Sequence, residues 1–406
     1  MLVLDCAYTQ KMLFQRKIEA FFLKKNCAGV FTHVWHCNPL EQIFSNVDDP
    51  ERYGLVSISK YNKTNSLIAG KMGLTKAFYR FPRLNFLLAQ LNLFYYLSIL
   101  CRQRPIRLIR ADDPFFNGLL GLILAICHRL PLVVGVWGNL GRIRLSTKKP
   151  IMPKLFPKIW IEEKIETSVL KHSTSVIVAN KDNKKYVMQL GISPKKISLF
   201  NMGSTLNIKH FQNPRQRAGI LPKKCLPRTP FILVISRLEK IKYVDHVIMA
   251  LPKIAKKVSN IKLLLVGDGA ERKNLFLLAE ELGVLNRISI CGNQNQEWLA
   301  KVIPRASVVV APLSGRSLAE AALGGAPIVA YDLDWHNEII INNKTGRLVP
   351  FHDIHGLARE TIKILKNPAK AKNMGRMARR RALSLLDPEK ASLNQKKLYE
   401  SIKKPN

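Results

Sequence analysis

One feature restricts this chain more than any other: apolar runs of four to seven residues are separated by longer segments of helical period, the pattern of βα units wound around parallel sheets. The pattern occurs twice. In the first half, residues 2–5, 30–34, 55–59, 107–110, 132–136, 175–178 and 197–200 predict strands; in the second half, 231–236, 262–266, 288–291, 308–311 and 327–330 do so with more regular spacing. Between the halves, residues 212–230 hold Pro214, Pro222, Pro227 and Pro230 with few apolar anchors, which predicts a linker. The expected division is a first Rossmann-like domain over 1–211, a linker over 212–230, a second Rossmann-like domain over 231–385, and a C-terminal helix over 386–406 packing back toward the first domain. Asp353 reads as the N-cap of a helix over 355–366, and two basic helices follow over 369–386 and 388–402. Two such domains predict a cleft, with ligands at the carboxyl ends of the strands.

Composition narrows the partners. Of 406 residues, 47% are apolar, enough for sizeable cores, and 65 Lys and Arg against 28 Asp and Glu leave a formal charge of +37. Such a charge attracts an anionic partner: nucleic acid, phospholipid or a phosphorylated substrate. The seven cysteines (Cys6, Cys27, Cys37, Cys101, Cys127, Cys225 and Cys291) are odd in number and form no CxxC pair, against a disulfide framework or structural zinc. The opening Met1-Leu-Val-Leu-Asp5-Cys6 meets an acid before an apolar core region forms, so a cytoplasmic location is expected. The apolar stretches 84–101 and 115–126 are each interrupted or too short for a clean span. Lys71, Lys76, Arg80 and Arg83 precede the first of them, and Arg102, Arg104 and Arg107 follow it. This is the pattern of a helix lying on the inner face of an anionic membrane, or equally of an ordinary helix with charged ends.

Three segments can carry chemistry. At the expected end of the first strand of the second half, Arg237 offers a planar fork of donors and Lys242 a point cation, a pair suited to a diphosphate, although a solvated basic turn would look the same. Val266-Gly267-Asp268-Gly269 runs from a strand toward a helix, and its glycines allow backbone to approach a ligand; it lacks a full GxGxxG pattern, against a dehydrogenase. In the third segment, Ser314-Gly315-Arg316-Ser317 precedes Glu320. The amides of Gly315 to Ser317 would open a helix toward anionic oxygen, and Glu320 could accept two ribose hydroxyls or simply favour the helix dipole. His33 and His36 lie three apart on an expected strand end and read as structural rather than metal-binding. Asp332 and Asp334, beside Trp335 and His336, end a strand where a sugar contact could form.

In order and spacing, these segments resemble the family-4 retaining glycosyltransferases of GT-B architecture. The resemblance rests on Ser236-Arg237-Leu238 with Lys242-Tyr243, on Val266 to Gly269, and on Glu320 through Gly324, Gly325 and Pro327 to Ala330. Weaker matches are Asn201-Met202-Gly203, Glu338, and Thr345-Gly346. It covers residues 160–400 well and the first 130 by pattern alone. It implies an α/β fold of two doubly wound domains facing across a cleft, the first for the acceptor and the second for the nucleotide sugar. It also implies transfer of a hexose with retention to a glycan or lipid-linked acceptor, in cell-surface polysaccharide or lipopolysaccharide synthesis. Arg237 and Lys242 would be catalytic; Glu320, Gly315, Arg316, Ser317, Ser314, Gly267, Asp268 and Gly269 would bind donor. No metal and no cofactor beyond the nucleotide sugar are implied.

Three departures bear on activity. The family pairs the acid matched by Glu320 with one eight positions earlier, where this chain has Pro312 in a loop about four residues short. The glycine loop after the first strand is replaced by Ala7-Tyr8-Thr9-Gln10-Lys11, and the histidine of the first domain by Trp137. A catalytically silent nucleotide-sugar-binding protein is therefore the alternative. A nucleic-acid-binding protein is the more distant one, since no helix-turn-helix, zinc-finger or RNP-type pattern is present and specific nucleic-acid binding is not expected.

Overall fold

The computed structural model describes residues 1–16, 29–43, 46, 48–214, 226–227 and 229–402. Most of the expected linker, at 215–225 and 228, lies outside the described residues, as do Cys27 and Cys225; the five cysteines inside them are free thiols. The chain divides into two compact units, one formed by residues 1–201 with 389–406 and the other by 202–388.

The first unit is built on eight strands: β1 Leu2–Leu4, β2 Val34–Asn38, β3 Ser57–Asn62, β4 Asn65–Ala69, β5 Ile109–Ala111, β6 Leu132–Val136, β7 Ser175–Val178 and β8 Ile197–Leu199. Their order is β3-β4-β2-β1-β5-β6-β7-β8, parallel throughout except that β3 runs antiparallel to β4. Strands β6 and β7 are buried along their whole length, which is why they are unbroken apolar runs in the sequence. The helices are α1 Gln10–Arg16, α2 Pro82–Gln103, α3 Phe116–His128, α4 Leu140–Thr147, α5 Ile159–His172 and α6 Lys181–Gln189.

Two expectations shift here. Strand β2 lies at 34–38 and not at 30–34, because its polar residues are buried with partners. His36 Nε2 meets Asn65 Oδ1 at 3.0 Å, Asn38 Nδ2 donates to the Tyr8 carbonyl at 3.0 Å, and His33 Nε2 lies 3.0 Å from Ser66 Oγ. Both histidines thus bond to side chains of β4, an element whose polar start Asn65-Ser66 hid it from the sequence pattern. The edge strand β3 sits at 57–62 instead of 55–59, mostly exposed.

The second unit carries six parallel strands, β9 Phe231–Ile235, β10 Lys262–Val266, β11 Ile288–Ile290, β12 Val308–Ala311, β13 Ile328–Tyr331 and β14 Arg347–Val349, in the order β11-β10-β9-β12-β13-β14. Helices α7 Val244–Lys257, α8 Arg272–Glu281, α9 Gln296–Val302, α10 Arg316–Leu323, α11 His336–Ile339, α12 Ile354–Leu365 and α13 Pro368–Leu385 cover the sheet. One face packs Trp298, Leu318, Ala322 and Ala378 on the strands, the other Val247, Leu251, Leu275 and Leu357. Asp353 caps α12, its Oδ1 accepting from the Gly356 amide at 2.7 Å. The winding reverses between β9 and β12, and a sheet of this kind opens a crevice at that point, outside the carboxyl ends of the strands.

The last helix, α14 (Pro388–Ser401), belongs to the first unit. Its Tyr399 is buried, with Phe31 and Phe200 packed edge-on at 5.4 and 6.0 Å and the Arg110 Nη1 donating to its hydroxyl at 3.0 Å.

Candidate functional site

The reversal point of the second unit gathers the sequence-predicted residues onto two loops. The first leaves β9 at Ser236. Its course is set by Gly267 and Gly269: a Cβ on Gly267, whose φ is +137°, would overlap the Ser236 carbonyl, and one on Gly269 would come within 2.9 Å of the Leu238 nitrogen. The amides of Ser236 and Leu238 donate to Val266 and Asp268 carbonyls at 3.0 and 3.1 Å. The close approach these glycines permit is therefore made by the protein's own chain. Both glycines seat the loop that presents Arg237. Asp268 is likewise engaged, with Gly269 N at 2.9 Å and Arg272 Nη1 at 3.0 Å.

Arg237 projects from this loop, its side chain 68% exposed, with an ion pair to Glu239 at 2.7 Å. Lys242 lies deeper. Burial lowers its ammonium below the ordinary lysine value and the nearby positive charge of Arg237 lowers it further, while Glu239 and Asp334 oppose the shift. The loop thus brings Arg237 and Lys242 within electrostatic reach of one another, with the carboxylates of Glu239 and Asp334 beside them. Tyr243 follows in the left-handed region at φ +53°, where the resembling family carries glycine. Its ring is packed against His246, Phe351 and His352 at 5.1 to 5.5 Å, contacts that offset the strained backbone.

The second loop leaves β12 at Ala311 and enters α10 after four residues. Ser314 is buried and held by two side chains the sequence gave no means of pairing with it. Its amide donates to His336 Nε2 at 3.1 Å, and its carbonyl accepts from Trp335 Nε1 at 3.1 Å. His336 Nδ1 donates in turn to the Tyr331 carbonyl at 2.8 Å, which makes the ring a neutral spacer; burial, first of all, keeps its pKa low. The charge of Lys242 adds to that lowering. Gly315 and Arg316 are exposed and Ser317 half-buried at the start of α10, and a Cβ on Gly315 would meet nothing within 4 Å. Pro312, where the resembling family has an acid, is buried in the short turn.

Glu320 is 2% exposed, one turn into α10. Burial raises its pKa to about 7, opposed by the charge of Arg316 and a hydrogen bond from Gln296. The Gln296 Oε1 is itself bound to His210 Nε2 at 2.8 Å. Only one Glu320 oxygen is served this way; Oε1 is buried with no partner among the described residues. A dipole-favoured surface carboxylate would not be in this position. Gln296 and His210 were not foreseen, since their relation to Glu320 spans 24 and 110 residues and has no local pattern.

Two Rossmann-like α/β units with mostly parallel sheets define the GT-B glycosyltransferase fold. The whole chain superposes on solved structures of that class: Anabaena HepE in complex with UDP and glucose (TM-score 0.73, 16% identity, 99% of each chain) and sucrose-phosphate synthase from Thermosynechococcus elongatus (TM-score 0.74, 20% identity, 98% of each chain). By sequence, residues 222–381 match the model of the family described as glycosyl transferases group 1. Among curated relatives, glycogen synthase of Mycobacterium tuberculosis is 29% identical over 177 residues, 43% of this chain and 43% of that protein. The N-acetyl-alpha-D-glucosaminyl L-malate synthase of Bacillus anthracis is 29% identical over 175 residues, 42% of this chain and 45% of that protein. The chain thus spans less than half the length of the curated relatives it matches.

Proposed function

We propose that the protein is a glycosyltransferase that moves a hexose from a nucleoside-diphosphate sugar to a hydroxyl of a glycan or lipid-linked acceptor, with retention of anomeric configuration. The observation that carries this is the placement of Arg237 and Lys242 together on the loop that leaves β9, at the reversal point of the sheet. Support comes from the family match over residues 222–381, from the glycosyltransferase relatives, and from similar structures that hold UDP with glucose or UDP-glucose. The assigned roles are physical. Arg237 and Lys242 take the diphosphate; the open start of α10 at Gly315, Arg316 and Ser317 faces diphosphate or sugar oxygen; and the unbonded Glu320 oxygen accepts from ribose hydroxyls.

In the proposed reaction the bond from the anomeric carbon to the diphosphate oxygen breaks with its electron pair on the leaving group. The acceptor oxygen forms the new bond on the same face and gives its proton to the leaving phosphate. Charge grows on that phosphate in the transition state, so fixed cations there lower the barrier, and this role needs no metal or further cofactor. The setting we propose is surface-polysaccharide or lipopolysaccharide synthesis at the cytoplasmic side of a membrane.

The test is release of UDP, GDP or ADP from a panel of nucleotide sugars, with membrane extract as acceptor source. Arg237→Ala and Lys242→Ala should each lower transfer about a hundredfold, the ~3 kcal/mol of one lost transition-state donor. Transfer unchanged in both variants would remove the assignment; nucleotide-sugar binding with no turnover in the native protein would favour a silent binding protein, the case raised by Pro312.

A further inference from the structure

Helix α2 carries an apolar stripe that nothing among the described residues of its unit covers. Asn85, Ala89, Leu93, Leu97 and Leu100 are buried and tie one side of the helix into the core. Leu84, Leu87, Leu91 and Tyr95 point the opposite way and are 48 to 66% exposed. The spacing of three, four and four residues keeps them in one line, roughly 16 Å long at helical rise. Phe78, Tyr79 and Phe81 extend the exposed apolar surface just before the helix, and α3, which touches α2 through Ser98 and His128 at 2.7 Å, exposes Ile123 and Ile126.

Charge around this stripe has one sign. Residues 52–111 hold eleven Lys and Arg and no Asp or Glu. Lys76, Arg80 and Arg83 lie exposed at the start of α2, and Arg102, Arg104 and Arg107 at its end. Arg80 lies over the Tyr79 ring at 5.7 Å, pairing a cation with an amphipathic ring of the kind that settles at headgroup level. The helix is long and apolar enough to cross a bilayer, yet five of its side chains are locked into the core of the unit, so it can only lie along a surface.

We infer that this face docks on an anionic lipid bilayer, with Leu84, Leu87, Leu91 and Tyr95 entering the headgroup boundary and the cations at both ends of α2 binding lipid phosphates. A phosphate backbone would use the cations and leave the stripe in water, so an apolar line flanked by cations selects lipid over nucleic acid. A surface placed this way suits a lipid-linked acceptor, but its existence does not depend on the transfer reaction, and the test reads binding alone.

The full chain is sedimented with vesicles of phosphatidylcholine containing roughly a third phosphatidylglycerol, and with phosphatidylcholine alone. Binding should be at least about tenfold tighter to the mixed vesicles and weaken with salt. The double variant Leu87→Glu/Leu91→Glu should bind at least about tenfold more weakly, and Arg80→Ala/Arg83→Ala about fivefold more weakly for each charge lost. Because these side chains are exposed, urea midpoints should match the native protein. In addition, vesicles added to the native protein should slow hydrogen exchange over residues 76–84, a readout that needs no variant. Three results would overturn the inference: no binding of the native protein to the mixed vesicles, equal binding by the Leu87/Leu91 variant, or a native dimer that this variant converts to monomer, which would make the stripe a contact between two copies.

Discussion

Two buried carboxylate sites, one in each unit, are opposite in physics. In the first unit, Arg144 Nε and Nη2 reach Glu162 and Glu166 at 2.9 and 2.6 Å. Tyr186 Oη donates to Glu166 at 2.8 Å, and the amides of Ile151 and Met152 donate to Glu162 at 2.9 and 2.8 Å. Every charge there is answered, so the cluster pins α4, α5 and α6 together and has nothing left for a ligand. In the second unit, Glu320 is as deeply buried, has no ion pair within reach among the described residues, and leaves Oε1 without a hydrogen bond. Burial alone does not mark a binding residue; the binding role we propose for Glu320 rests on its unanswered oxygen beside the sheet's reversal point.

The largest effect that could break this contrast is expected at Arg144. Arg144→Met should destabilise the first unit by about 3–5 kcal/mol in urea unfolding, because two buried carboxylates lose their cation; a change under ~1 kcal/mol would show the cluster is not structural. Glu320→Gln should do the reverse. The fold raises the Glu320 pKa from 4.5 to about 7. Below pH 4.5 both folded and unfolded chains are protonated and the residue costs nothing. As pH rises from 4.5 to 7 the unfolded chain ionises first, so stability falls, and above 7 the full penalty stands. The variant should therefore gain up to about 3 kcal/mol above pH 7 and nothing near pH 4, while losing roughly tenfold or more in nucleoside-diphosphate affinity. Equal affinity by calorimetry would remove Glu320 from the site. The smallest effect, about 1 kcal/mol, belongs to Tyr186→Phe, which deletes one hydrogen bond to Glu166 and should leave nucleotide affinity unchanged.

Much of the fold was legible because its strands are buried on both faces. The runs at 132–136, 175–178, 262–266 and 308–311 coincide with β6, β7, β10 and β12, since a parallel strand covered on both sides must be continuously apolar. Legibility failed where polar groups go inside or the strand is short. His36 and Asn38 displaced the boundary of β2, β4 opens on Asn65-Ser66, and β14 has three residues. The candidate site divides in the same way. Arg237, Lys242 and Glu320 were singled out by residue type, spacing and the family resemblance. The part of His336 in holding Ser314, the part of Gln296 in leaving one Glu320 oxygen unserved, and the packing duty of Gly267 and Gly269 were not.

What the sequence determined alone is what depends on near neighbours: the periods of helix and strand, the doubly wound second half, the cationic turn after β9, the excess of positive charge. What only the tertiary structure decided is which polar groups are answered. Hydrogen bonds and desolvation act over a few ångströms in space between residues far apart in the chain, so whether a buried carboxylate is a brace or a binding group, and whether an apolar stripe on α2 is core or surface, is settled by the partners that folding brings or withholds.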